Sequence, residues 1–243
     1  MESHAPTMTH SRPHAMRTLA VDIGGTGIKA LVLSATGKAL TERARVKTPR
    51  PATPGAVLNA IVGLAKDQGK FDRVSVGFPG VVRRGVTVTA PNLDGNWRHF
   101  KLAETLSKKL GKPVRAANDA DVQGFGAITG HGVELVVTMG TGFGSALFLN
   151  GRLVPNLEIA HHPFDKGQTY EKKLGDAARK KIGKKKWNKR LIKAIATLEH
   201  AFNYDHLYIG GGNAQKIILK LPSNTRIVEN VAGLLGGIAL WRN

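Results

Sequence analysis

The apolar positions of the chain come in short runs cut by glycine and proline, and their spacing predicts strands and helices in alternation. Leu19-Ala20-Val21 leads into Asp22-Ile23-Gly24-Gly25-Thr26-Gly27-Ile28-Lys29, and Ala30-Leu31-Val32-Leu33 leads out, which reads as strand, tight glycine turn, strand. Residues 38–46 predict a third strand. Pro49, Pro51 and Pro54 then interrupt any ladder, and Pro54 suits the first turn of a helix. Ala56, Val57, Ala60, Ile61, Leu64 and Ala65 follow at helical spacing. Val74 to Phe78 reads as a strand ending at Pro79-Gly80, and a small hairpin turns about Arg83-Arg84-Gly85. A helix over 102–110 closes at Gly111, and a strand over 113–117 runs into Asn118-Asp119.

The second half repeats this grammar. A short helix is predicted over 122–128, then a strand over 134–139, the turn Gly140-Thr141-Gly142-Phe143-Gly144, and a strand over 145–149. Asn150-Gly151 is a two-residue hairpin signal. One helix with a basic face is predicted over 170–182, a basic break at 183–186, and an amphipathic helix over 187–202 with Leu191, Ile195, Leu198 and Phe202 on its apolar side. A strand over 206–209 ends at Gly210-Gly211-Gly212-Asn213, followed by a helix over 214–221, a strand over 227–229 and an apolar helix over 231–240. Strand, Gly-Thr-Gly turn, strand thus occurs twice, which predicts two α/β halves.

Composition narrows the class. With 243 residues and 42% hydrophobic content the chain can bury proper cores. No apolar run approaches a membrane span, and the stretch before Arg17 lacks the apolar core of a secretory signal, so a cytoplasmic location with a disordered tail over 1–16 is expected. Cysteine is absent, which excludes disulfides and thiolate metal sites. The net charge of +19 calls for a polyanionic partner. Aromatics, at 6%, are not interleaved with the basic residues, which weakens a single-strand nucleic-acid platform.

Chemistry concentrates in turns at predicted strand ends, where α/β sheets hold their ligands. Asp22, Gly24, Gly25, Thr26 and Lys29 supply a carboxylate, free backbone N–H groups, a hydroxyl and a cation, a set suited to a phosphate with a divalent metal; the same stretch also reads as a plain hairpin. Gly140, Thr141 and Gly142 echo it. Two phosphate-type turns with a carboxylate between them suggest phosphoryl transfer, in which Asp119 would take a hydroxyl proton. Asn118-Asp119 reads equally as a helix cap, and Asp121 as a structural or solvated carboxylate.

In this order Asp22-Ile23-Gly24-Gly25-Thr26, Asn118-Asp119, Gly140-Thr141-Gly142-Phe143-Gly144, Glu158-Ile159-x-His161 and Ile209-Gly210-Gly211-Gly212 resemble the sugar kinases of the ROK family, from Arg17 onward. The resemblance implies an actin-like (ribonuclease H-like), hexokinase-type ATPase fold: two α/β domains, 17–117 and 118–243, with a cleft between them, and a last helix at about 231–242 able to pack back on the first. It implies phosphorylation of glucose, with mannose also accepted, at the 6-hydroxyl, from ATP or inorganic polyphosphate with Mg²⁺. Asp119 would be the general base. Gly80, Asn92, Asn118, Glu158, His161 and Glu171 would contact the sugar. The Asp22 turn, with Lys29, and the Gly140 turn would hold phosphates, Asp22 would meet Mg²⁺ through water, and Gly210, Gly211, Gly212 and Asn213 would face the nucleotide.

Two departures from the family pattern stand out. The cysteine-rich zinc motif of many members is missing, so no zinc is expected. About 16 residues precede the core, too few for the DNA-binding domain of the repressor members, so no DNA partner is expected. His161-His162 lacks a third ligand at metal spacing, which favours His161 as a sugar hydrogen-bonder. In the basic stretch 172–193 few acids interleave, and Lys184, Lys185 and Lys186 form a candidate polyphosphate track. A kinase of another hexose, a non-catalytic sugar sensor and a basic nucleic-acid binder are the alternatives, and the apolar C-terminal half is compatible with a homodimer.

Overall fold

The computed structural model describes residues 15–228 and 236–242. Residues 1–14 of the tail expected over 1–16, and residues 231–235 of the final helix expected over 231–240, therefore lie outside the described residues.

Strands β1 (Thr18–Ile23) and β2 (Gly27–Leu33) form the predicted hairpin, and β3 (Ala44–Lys47) extends it. The third strand is shorter than its apolar pattern suggests. Leu33 and Ala39 make a single bridge, and the Val32 N–H then bonds to the Thr41 hydroxyl, which replaces backbone pairing. Helix α1 (Pro54–Asp67) is capped by Thr53 and starts on its proline. It leads to β4 (Arg73–Phe78), parallel to β1. A small hairpin, β5 (Val82–Arg83) with β6 (Val86–Thr87), precedes α2 (Leu102–Leu110), which ends on Gly111 in the left-handed region. Strand β7 (Val114–Asn118) completes a sheet of order β3-β2-β1-β4-β7.

Helix α3 (Asp119–Phe125) starts three residues earlier than its apolar pattern implies, because Asn118 caps it. After it come β8 (Val133–Met139), β9 (Phe143–Leu149) and β10 (Arg152–Val154). A two-stranded ribbon, β11 (Pro163–Asp165) and β12 (Gln168–Thr169), precedes α4 (Tyr170–Leu174), α5 (Asp176–Ile182) and α6 (Lys184–Phe202). Strands β13 (His206–Gly210) and β14 (Thr225–Ile227) give a second sheet of order β10-β9-β8-β13-β14. In both sheets the first three strands in chain order are antiparallel neighbours and the last two are added in parallel. The two halves share one topology.

Three helix expectations are corrected. The helix over 170–182 is two, broken at Gly175, whose backbone lies so close to Glu171 O and Thr141 O that a Cβ would come within 2.9 Å of each. The basic break at 183–186 is Gly183 alone, and Lys184, Lys185 and Lys186 open α6. The helix over 214–221 shrinks to one 3-10 turn, Ala214–Lys216. The Asn188 side chain accepts from the Ile218 N–H at 2.9 Å and donates to Lys216 O at 3.2 Å, taking over the groups that a helix would have paired.

Each sheet buries one face under its own helices. Leu19, Val21, Ile23, Val74 and Val76 pack with α1 and α2 in one core; Leu135, Val137 and Met139 pack with Trp187, Leu191 and Leu198 in the other. The opposite faces turn toward α3, which packs against β4, β7, β8 and β9. The C-terminal 3-10 turn Gly236–Trp241 lies here too: Ile238 joins Ala20, Leu31 and Leu33, the Trp241 indole N–H bonds to Ser75 Oγ at 2.8 Å, and Arg73 and Arg115 stack on the Trp241 ring. Among the described residues no helix is long and apolar enough to cross a membrane.

Candidate active site

The register carries the site. Asp22 on β1 pairs with Gly77 on β4, Gly77 pairs with Ala117 on β7, and Phe78 pairs with Asn118, so the carboxyl ends of three strands finish together. A Cβ on Gly77 would sit 3.5 Å from the Asp119 Cα, and one on Gly144 would sit 3.0 Å from the Ala120 Cβ. Glycine in β4 and glycine in β9 thus let the first turn of α3 settle against both sheets at once. Asp119 stands where the halves meet.

Asn118 makes the local frame. Its Oδ1 and the Asp119 Oδ1 both accept the Ala120 N–H at 2.8 Å, and its Nδ2 donates to Gly80 O at 3.1 Å. The cap reading of Asn118 therefore holds, while Asp119 Oδ2 accepts no hydrogen bond from another residue among the described residues. Part of the Asp119 surface stays open, yet protein crowds it on every side. Burial, then the charges of Asp22 and Glu158, raise its pKa from 3.8 to about 7, against the pull of the Ala120 N–H. Asp121, 4% exposed, is likewise raised to about 7, by burial and then by Glu158 and Asp119. Of the two readings of Asp121, structural or solvated, burial excludes the solvated one. The helix starts at Asp119, so position 121 lies buried in its first turn, within the field of Asp119 and Glu158.

Glu158 is half-buried and its pKa is raised by burial, partly offset by His161 and increased by Glu171. The Glu171 carboxylate, on α4, fills the space a side chain on Gly142 would need. Glu158, His161 and Glu171 are thus gathered beside the second glycine turn. Asn92 is exposed and its Cβ lies 3.7 Å from where a Cβ on Gly25 would be, beside the first turn. That turn is closed by the Gly24 N–H to Gly27 O bond at 3.0 Å and tied down by Thr48 Oγ1 and Arg50, which donate to Gly24 O and Gly25 O; Thr26 remains exposed. Lys29 forms a 2.9 Å ion pair with Asp22 across the hairpin.

On the other half, Met139 and Gly140 at the end of β8 meet Gly211 and Asn213 after β13. The Asn213 side chain donates to Gly140 O at 3.0 Å and accepts from Arg179 at 3.1 Å, and its N–H bonds to Met139 O at 2.9 Å. Gly211 has φ +86° and lies so close to the Met139 backbone that no side chain fits. Lys184, Lys185 and Lys186 are exposed, and no hydrogen bond or ion pair joins them to these turns among the described residues. Elsewhere in the basic stretch Lys173 and Lys193 pair with Asp165, and Arg179 and Lys180 pair with Asp176.

Two sheets of one topology, each opening on a hairpin with a glycine turn and joined by a helix that starts with a buried carboxyl, define the actin-like, hexokinase-type ATPase fold of sugar kinases. The ROK family profile matches residues 18–158. Polyphosphate glucokinase from Mycobacterium tuberculosis is 34% identical, with 89% of this chain and 88% of that protein covered. The inorganic polyphosphate/ATP-glucomannokinase of Arthrobacter sp. strain KM superposes with a TM-score of 0.84 at 33% identity, covering 93% of this chain and 99% of its own. A ROK family glucokinase from Streptomyces griseus, solved with glucose and AMPPNP, shares the fold with a TM-score of 0.77 at 21% identity, over 92% and 98% of the chains. The chain belongs to the ROK family and is a sugar kinase.

Proposed function

We propose that the protein phosphorylates glucose at the 6-hydroxyl, with mannose as a second acceptor, using ATP or inorganic polyphosphate as donor. The observation that carries the reading is Asp119: a half-buried carboxyl where both sheets meet, with one oxygen that accepts no bond from another described residue and a pKa near the working pH. The sugar lies between the halves 17–117 and 118–243. Asn118, Glu158, His161 and Glu171 hold its hydroxyls, with Asn92 and Gly80 at the rim. Asp119 accepts the 6-hydroxyl proton as the oxygen attacks the terminal phosphorus. The new O–P bond forms while the bridging P–O bond breaks, leaving ADP or a polyphosphate one unit shorter.

The Gly24 and Gly140 N–H groups close their turns on Gly27 O and Gly142 O; the remaining N–H groups of the two turns cradle the phosphate oxygens, and the hydroxyls of Thr26 and Thr141 add donors. Gly210, Gly211, Gly212 and Asn213 face the nucleoside. Mg²⁺ fits this donor set, since it is commonly held by one or two carboxylates together with substrate phosphates and water, and Asp22 offers a carboxylate in a site where negative charges already repel one another. When bound it neutralises developing charge on the phosphoryl group. Lys184, Lys185 and Lys186 attract polyphosphate by charge. A coupled assay crossing several hexoses with ATP and polyphosphate tests the reading. Phosphorylation of glucose is expected, and failure with every hexose and both donors in the presence of Mg²⁺ overturns it.

A further inference from the structure

The pairing register of the first sheet aligns a row of side chains that runs away from the candidate base. Arg45 on β3 pairs with Lys29 on β2, Lys29 with Asp22 on β1, and Asp22 with Gly77 on β4, against which Asp119 packs. Directly paired residues share a face, and this face also receives Ile238 on Ala20 and Leu31. Lys47 pairs with Gly27 and points the same way, one step nearer the first turn. Gly27 has a second role here. A Cβ at that position would lie 2.8 Å from Arg45 Nε, so glycine leaves room for the guanidinium to fold over the turn.

The charges along this row are unequal. Lys29 neutralises Asp22 at 2.9 Å. Arg45 and Lys47 are exposed and pair with no carboxylate among the described residues. With strands about 4.8 Å apart, β3 lies about 10 Å from the strand that carries Asp22. A phosphate held at the first turn therefore has two unneutralised cations beyond it, on the half opposite to Gly210 and Asn213.

We propose that Arg45 and Lys47 seat the phosphate groups that trail the transferred one, so that linear inorganic polyphosphate lies across β2 and β3 while the nucleoside of ATP lies toward the other half. The proposal rests on polyphosphate serving as a donor. Arg45 and Lys47 read donor type: a polyanionic chain reaches them, and a chain of three phosphates that turns toward Gly210 does not. Arginine suits this position because its planar fork binds phosphate oxygens in pairs.

The test compares the wild-type enzyme with an Arg45→Glu/Lys47→Glu variant and an Arg45→Lys variant, using glucose with long-chain polyphosphate or ATP. The double variant is expected to raise the KM for polyphosphate at least tenfold and to leave the KM for ATP within twofold, with an unchanged thermal unfolding midpoint. Arg45→Lys is expected to recover part of the loss. Binding of polyphosphate, followed by fluorescence anisotropy of an end-labelled chain across a salt series, should show a shallower slope by about one per lost phosphate contact, as for nucleic-acid phosphates. An unchanged KM for polyphosphate, or an equal rise for both donors, overturns the seat while leaving the kinase reading intact. A wild-type enzyme that uses ATP but neither binds nor uses polyphosphate overturns the donor reading and the seat together.

Discussion

Asp119→Asn should separate catalysis from stability in opposite directions. The substitution keeps an oxygen that can accept the Ala120 N–H and removes only the ionisable group. In the folded protein the carboxyl is raised from 3.8 to about 7. Between those values the native state holds a proton that the unfolded chain has released, so stability falls as pH rises through this window, and the penalty is complete above about 7. The full rise corresponds to about 4 kcal/mol, at about 1.4 kcal/mol for each tenfold change. Solvent at the open edge of Asp119 reduces this to about 1–3 kcal/mol. Asp121 adds to the effect, since the Asp119 charge is among the causes that raise it. Urea unfolding at pH 8 should therefore find the Asn variant more stable than the wild type, with the difference shrinking toward pH 4. Turnover with glucose should fall by about 10²–10⁴ while sugar affinity is largely kept. The wild-type kcat/KM should decline below about pH 7 as the base is protonated. An Asn variant that is less stable at pH 8, or equally displaced at all pH values, would refute the crowding argument; near-normal turnover would refute the base.

Glu134 is fully buried and accepts bonds from the Thr129 N–H and hydroxyl, the Gly130 N–H and the Tyr208 hydroxyl, which hold its pKa down despite burial. Glu134→Gln should cost about 2–4 kcal/mol in chemical unfolding at pH 7. Because the folded pKa is depressed, this stabilisation is present above the unfolded value and is lost as pH falls through the folded one, so the gap should narrow in acid. Asn213→Ala removes the side-chain donor to Gly140 O and one of the two acceptors of Arg179, and should raise the KM for ATP about tenfold, with the KM for glucose within twofold, in steady-state kinetics. Glu substitutions at Lys184, Lys185 and Lys186 should weaken polyphosphate use more than ATP use; an equal loss would count against this segment as part of the field that draws the polymer in.

Local patterns carried most of the elements because each depends on neighbours in sequence. The hairpin at Asp22, the proline start of α1, the glycine stop of α2 and the echo at Gly140 are set by turn chemistry and periodicity. The family resemblance needed only five short motifs in order. Where local preference failed, a distant partner had overruled it. Gly175 breaks a helix because its backbone rests on Thr141, and Asn188 on α6 unwinds the segment after Lys216 by taking its backbone bonds.

The strand ends, glycine turns and charged residues were determined by the sequence alone, since composition and spacing express them directly. Their meeting was decided by tertiary structure. Asp121 joins the carboxylates only because α3 begins at Asp119, and Arg45 lines up with Lys29 and Asp22 only through cross-strand register. The second relation has no fixed separation along the chain, and the first depends on where the helix begins. The raised pKa of Asp119 is of the same kind, because burial and the fields of Asp22 and Glu158 arise only when both halves close around one helix.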